Sequence, residues 1–231
     1  MTGPSAHLSS VLNNRRDDGV MSDGWTLAAE SRIAFADLCD TLTPEQAEQP
    51  TWCDGWTPRL VAAHVATFLE VPLPKFMFTI MKHRGDFDAA ADVLARKLAE
   101  RPLSELTAAI RTKASKTSGL PIFPGELTLV DAVVHGEDIR QALGLPGEPD
   151  PAHVTASLAF LTTSKKAKPL LEAKGLLDGL RLEATDTDWS HGDGQLVSGT
   201  ELAILLAILR RPVDDQITGE GLATLRARQA A

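Results

Sequence analysis

Cysteine is scarce in this chain. Two residues among 231, Cys39 and Cys53, cannot build a disulfide framework, and an isolated pair is the usage of a reducing compartment. Long apolar runs are missing as well. The longest uninterrupted one covers residues 202–209, far short of the ~20 residues that a bilayer crossing requires. Positive charge is in deficit, with 23 basic against 31 acidic residues and a formal net charge of −8. That balance excludes the concentrated basic face of a nucleic-acid binder and gives no reason to expect an anionic membrane as partner. Residues 1–23 hold no apolar core of a secretory signal. They predict a flexible lead-in, with Met21 as an alternative start. Neither a glycine-rich phosphate loop nor a G-x-S-x-G nucleophile elbow occurs; Gly119, Gly125 and Gly144 are isolated turn glycines. A soluble cytoplasmic protein is expected, monomeric or homodimeric, with no nucleic-acid or membrane partner.

What the chain does have is helical signal. A hydrophobic fraction of 43% suffices for a core. Trp25 to Leu42 carries apolar residues at helical spacing (Leu27, Ala28, Ile33, Ala34, Leu38). Thr57-Pro58 is a helix-start signal, N-cap then N1, and that helix is expected to reach at least Leu69 before Pro72 and Pro74 interrupt it. Residues 86–100 and 103–115 predict two more helices parted by Arg101-Pro102. After the turn-rich 121–125 stretch, a helix over 127–143 closes on Gly144 with Pro146 beyond. Asp150-Pro151 opens another, ending in a lysine-rich segment at Lys165, Lys166 and Lys168.

Near residue 175 the pattern changes. Leu180-Arg-Leu182-Glu-Ala184 alternates apolar and polar residues, the period of a half-buried strand. A polar turn over 186–194 and a second segment at 195–198 predict a hairpin, followed by an apolar helix from Glu201 to Arg210 and a last short helix over 221–229. The fold class is mainly α with a small α+β part: a lead-in to 23, an antiparallel helical bundle over 24–173, and a smaller α+β domain over 174–231.

Inside the 127–143 helix, Asp131 and His135 stand four residues apart, so both side chains project from one face with Cβ atoms roughly 6 Å apart. Asp is a poor helix-interior residue, and a buried one needs a compensating partner. His64, inside the helix that starts at Pro58, supplies a third donor. Two imidazoles and a carboxylate leave one tetrahedral position open, which suits a catalytic divalent metal. The plainer alternative is an Asp131–His135 hydrogen bond with no ion. Glu137 and Asp138 lie close enough to compete with Asp131 as the acidic ligand; Asp131 is preferred, and Asp138, three residues beyond His135, is expected to support it from behind the ligand shell or to be structural. Cys53 and Cys39 read as inert, and Trp52 and Trp56 as anchors of the loop before the His64 helix.

Cys53-Asp-Gly-Trp56-Thr-Pro-Arg59-Leu-Val-Ala-Ala-His64 and Asp131-Ala-Val-Val-His135-Gly-Glu-Asp-Ile-Arg140-Gln-Ala-Leu-Gly144 resemble two signatures of the mycothiol-dependent maleylpyruvate isomerase family. The segment from Leu180 to Gly194 resembles that family's C-terminal domain. The resemblance runs from about Trp25 to Arg226. It implies a DinB-like four-helix bundle with a divalent metal, usually zinc, held by His64, Asp131 and His135. Asp131 stands where the family has Glu, one methylene longer. The resemblance also implies mycothiol as cofactor, its thiolate adding to a small electrophilic substrate in an isomerase or thiol S-transferase reaction. Arg59, Arg84 and the Arg210-Arg211 pair are the candidate contacts for the polar groups of mycothiol. A non-catalytic metal- or thiol-binding regulatory module of the same fold is the alternative.

Overall fold

A computed structural model describes residues 24–117, 123–167, 171 and 175–230. The lead-in to residue 23 with Met21, Lys168 and the 173/174 boundary expected from the sequence lie outside these residues. The helices follow the capping signals. In α2 (Pro58–Glu70) the Thr57 hydroxyl accepts from Leu60 N at 3.4 Å, and Pro58 fills the first helical position. Pro72 then opens a separate short helix, α3 (Leu73–Lys82), bent by 118° from α2. Next come α4 (Phe87–Leu98), α5 (Leu103–Thr112) and α6 (Gly125–Ala142). Gly144 adopts φ +60° after α6, as its C-cap role predicts.

Four helices share one apolar core. Phe35, Ala36 and Cys39 of α1 (Gly24–Asp40) meet Val61, Val65 and Leu69 of α2, Leu106 and Ile110 of α5, and Ile139 of α6. Within this bundle α5 runs antiparallel to α1, because Arg111 pairs with Asp37 while Thr107 bonds Asp40. By contrast, α1 and α6 start from the same end. Gly125 lies against the Gly24–Trp25 backbone, where a Cβ would come within 2.4 Å of Gly24, and Gly136 lies against Phe35 and Leu38. Glycine at 125 is what lets the two helix starts meet.

The other face of α6 belongs to a second core. Leu129, Val130, Val133 and Val134 pack with Leu158 and Leu161 of α7 (Pro151–Thr163), and the same cluster continues into the C-terminal part through Leu182, Val197, Leu205 and Leu225. Helix α6 is therefore buried on two sides and joins both halves of the molecule. The C-terminal part holds β1 (Leu180–Ala184), β2 (Ser190–His191), β3 (Gln195–Gly199), α8 (Glu201–Ile208) and α9 (Gly221–Gln229). Leu180 and Leu182 point inward and Arg181 outward, as the alternation predicts.

The expected hairpin between residues 180–184 and 195–198 is corrected by the structure. The antiparallel partner of β1 is the two-residue β2, whereas β3 lies parallel on its other edge, giving the order β2-β1-β3. Between β2 and β3 the chain crosses the start of β1. Gly192 and Gly194 take φ +79° and +126°, and Cβ atoms there would come within 2.4 Å of Leu180 O and 2.2 Å of Gly179 O. Only glycine can follow that path. Among the described residues no single helix is long and apolar enough to cross a membrane.

Candidate metal centre

Helices α2 and α6 carry the three expected donors to the head of a cleft of about 620 Å³. His64 and His135 both face it from side chains 13% exposed, with Asp131 between them at 30%. Asp131 Oδ1 stands 3.4 Å from His64 Nε2 and 3.5 Å from His135 Nε2. The three donor atoms all lie within 4.8 Å of one another. These separations bear on both expectations. A charge-assisted N–H···O bond closes to about 2.7–2.9 Å, whereas two ligands of one tetrahedral ion, each 2.0–2.1 Å from it, stand about 3.3 Å apart. One carboxylate oxygen at nearly equal distance from two imidazoles has a spacing that fits shared ligands, and its contact with His64 is also within hydrogen-bonding reach.

The surroundings fit a cation as well. His135 Nδ1 faces Asp138 Oδ2 at 3.0 Å, which fixes a proton on Nδ1 and makes Nε2, directed toward Asp131, the ring position that a cation would take. That is the support a metal-bound imidazole requires. Asp138 is itself fully buried. Its carboxylate receives Arg211 Nε at 2.8 Å and Nη2 at 2.7 Å. Burial works against the charge of Asp138, yet Arg211 and His135 hold its carboxyl well below the usual range. Burial likewise opposes charge on His135, but Asp131, with hydrogen bonds to Asp138 and Cys53, pushes its pKa up to about 10. Asp131 is also held low against its burial, by the two imidazoles and the charge of Arg32. Two ionised carboxylates around the imidazoles make this a place that attracts positive charge.

Aromatic rings orient the site. His64 Nδ1 is buried without a hydrogen-bond partner, so its ring is set by packing. Trp56 tilts against it at 5.0 Å and stacks on His135 at 6.1 Å, and Phe68 meets it edge-on at 5.1 Å. Trp56 thus walls the donors, the lining role that its sequence position offered as the alternative to a loop anchor.

Cys53, read as inert from the sequence, has polar partners in the fold. Its thiol donates to Asp138 Oδ2 at 2.9 Å, and its sulfur stands 3.5 Å from His135 Nδ1 and 4.0 Å from Arg211 Nη2. Cys53, His135 and Asp138 form a second donor cluster. The bidentate Arg211 already supplies positive charge there, so the cluster is a hydrogen-bonded support for His135. Cys39 lies in the bundle core, where burial pushes its thiol pKa up.

The expected cofactor contacts are dispersed. Arg210 lines the cleft beside Arg211. Arg59 pairs with Glu48 (Nε to Oε1 2.8 Å) and donates to Ala99 O at 2.9 Å, bracing the start of α2 away from the cleft lining. Arg84 occupies the turn after α3 at φ 59°, also outside the lining. Arg211 is the residue whose role was hardest to foresee. The end of α8 presents it: Arg210 takes the left-handed φ of 67°, and Arg211 N bonds Leu206 O at 2.9 Å, a helix-closing turn that aims the next side chain at α6.

A helical bundle fused to a small mixed unit, with a His-Asp-His donor set at the head of a cleft, defines the class. Two solved structures share this fold: the mycothiol-dependent maleylpyruvate isomerase and a histidine-to-alanine mutant of it. They are 17% and 16% identical to this chain, each with a TM-score of 0.57 over 87% of this chain and 92% of theirs. No protein-family model matches the sequence, and no curated protein matches it.

Proposed function

We propose that the protein is a divalent-metal-dependent enzyme, with zinc as the metal, that uses mycothiol as isomerase or thiol S-transferase on a small electrophilic metabolite. The observation that carries this reading is Asp131 Oδ1, placed 3.4 and 3.5 Å from the two Nε2 atoms. The name of the isomerase with the same fold supports mycothiol as the thiol. His64, Asp131 and His135 would hold the ion, which with one position open supplies a Lewis acid able to keep a thiol as its reactive thiolate near neutral pH.

The residues of the chain divide the remaining work. Asp138 holds the Nδ1 proton of His135 and so keeps Nε2 available. Arg211 keeps Asp138 ionised. Trp56 packs on both imidazoles and Phe68 on His64, which limits the access of water to them. Arg210, at the cleft, offers positive charge to the polar groups of a thiol conjugate.

Metal analysis of tag-free protein tests the site. About one equivalent of zinc per chain is expected for the wild type and a small fraction of that for His64→Ala and His135→Ala. Equal metal in all three would overturn the assignment. Metal and thiol affinity without turnover of any electrophile would mark a binding module in place of an enzyme.

A further inference from the structure

Phenylalanine rings form one wall of the cleft below the donors. Phe68 lies one helical turn beyond His64 on α2, with ring centroids 5.1 Å apart. From Phe68 the aromatic surface continues: Phe87 stacks at 6.1 Å and 11°, and Phe76 lies 5.7 Å from Phe68. Phe123 stacks on Phe87 at 5.8 Å. All four rings line the cleft. They come from α2, α3, α4 and the segment before α6, so four separate parts of the chain contribute aromatic carbon to one wall. Phe68 is 37% exposed although it faces the interior of the cleft. The protein has only seven phenylalanines, and more than half of them are here. An apolar ring seated on that wall gains both area burial and ring–ring contact, while its substituent reaches the donors one turn away.

The charges on the lining have a sign. Arg211 is neutralised by Asp138 behind the wall, which leaves Arg32, Lys116 and Arg210 against Asp88 and Asp131, still an excess of positive groups in a chain of net charge −8. Arg32 Nη1 donates to Ala114 O and Lys116 O at 2.7 and 2.8 Å, which fixes its cation at the cleft wall. Such a lining favours an anion. A small dicarboxylate would satisfy the charge but leave the phenylalanine wall in contact with water.

We infer that the electrophile taken by this cleft is an aromatic acid: an aryl group on the Phe68–Phe87 wall, carried by the electrophilic carbon of an unsaturated carboxylate, with that carbon toward His64 and His135. This rests on the functional reading above for the position of the reacting end, but the aryl wall can be tested apart from the metal.

Three unsaturated acids that differ in one substituent serve as probes: cinnamate with a phenyl group, crotonate with a methyl and fumarate with a second carboxylate. Titration calorimetry on purified protein, with zinc content measured on the same samples, is expected to show cinnamate binding at least about tenfold more tightly than either of the others. Phe87→Ala, which leaves the Phe68 contact with His64 in place, is expected to remove most of that preference without changing zinc content. Phe87→Leu, which keeps apolar bulk and protects against misfolding, is expected to retain part of it. Similar affinities for the three acids, no binding of any, or a preference untouched by Phe87→Ala would each overturn the aryl assignment. A cinnamate preference in wild-type protein that holds no metal would uphold the aryl wall and sink the metal reading alone.

Discussion

Asp138 accepts from three side chains at once: His135, Cys53 and Arg211. Each bond has a separate consequence. The bond to His135 fixes the imidazole tautomer, the bond to Arg211 offsets the cost of a buried charge, and Cys53 adds a third donor to Oδ2. Asp138→Asn keeps the shape but offers one fewer acceptor oxygen and no charge. Zinc affinity is expected to fall about 10- to 100-fold, the range for such supporting carboxylates, with the three ligands still in place. Arg211→Ala should act differently, because it strands a buried carboxylate, and a stability loss of about 3 kcal/mol is expected. Competition with a chelator of known affinity and denaturant unfolding read the two effects separately. If Asp138→Asn bound zinc like the wild type, the role given to this carboxylate would be wrong.

Helix α6 shows how far a sequence can be read element by element. Its Asp131 and His135 were legible because helical geometry alone puts residues four apart on one face. His64 was legible because Thr57-Pro58 marked the start of its helix. Cys53 and Arg211 were not: they lie 158 positions apart and meet only because α8 ends in a left-handed turn beside α6. The donor set could thus be found locally, whereas its support required the tertiary fold. The sheet failed for a related reason. Alternation identifies a strand, but two strands of five residues do not specify which edge each takes, and here the glycine crossing decides it. Gly194→Ala tests that account. At φ +126°, with Gly179 O 2.2 Å from the new Cβ, the substitution is expected to cost about 3 kcal/mol or more, seen as a lowered unfolding midpoint. Ala at Gly144, where φ is +60° and a Cβ meets nothing within 4 Å, should cost only about 1 kcal/mol.

At the scale of the whole molecule, the two halves meet through charge as well as apolar packing, since Arg211 of the C-terminal part grips Asp138 of the bundle, which grips His135. That coupling makes the metal-free protein sensitive to pH in a definite direction. The pKa of His135 is raised from 6.5 to about 10, so its contribution is fully present below pH 6.5 and is lost as pH climbs through about 10. Asp131 and Asp138 are lowered from 3.8, so their contribution is present above that pH and is lost as acid protonates them. Between these limits the chelator-treated protein should be most stable, and its melting temperature should decline steadily from about pH 6.5 toward 10. Zinc competes with the proton that His135 would otherwise keep, so its stabilising effect should grow over the same interval. Melting curves with and without zinc across that range read both slopes, and His135→Gln should flatten the decline. A metal-free wild type whose melting temperature held constant from pH 6.5 to 9 would mean that His135 is not held protonated by its two carboxylates. The site would then lack the field that draws a cation to it.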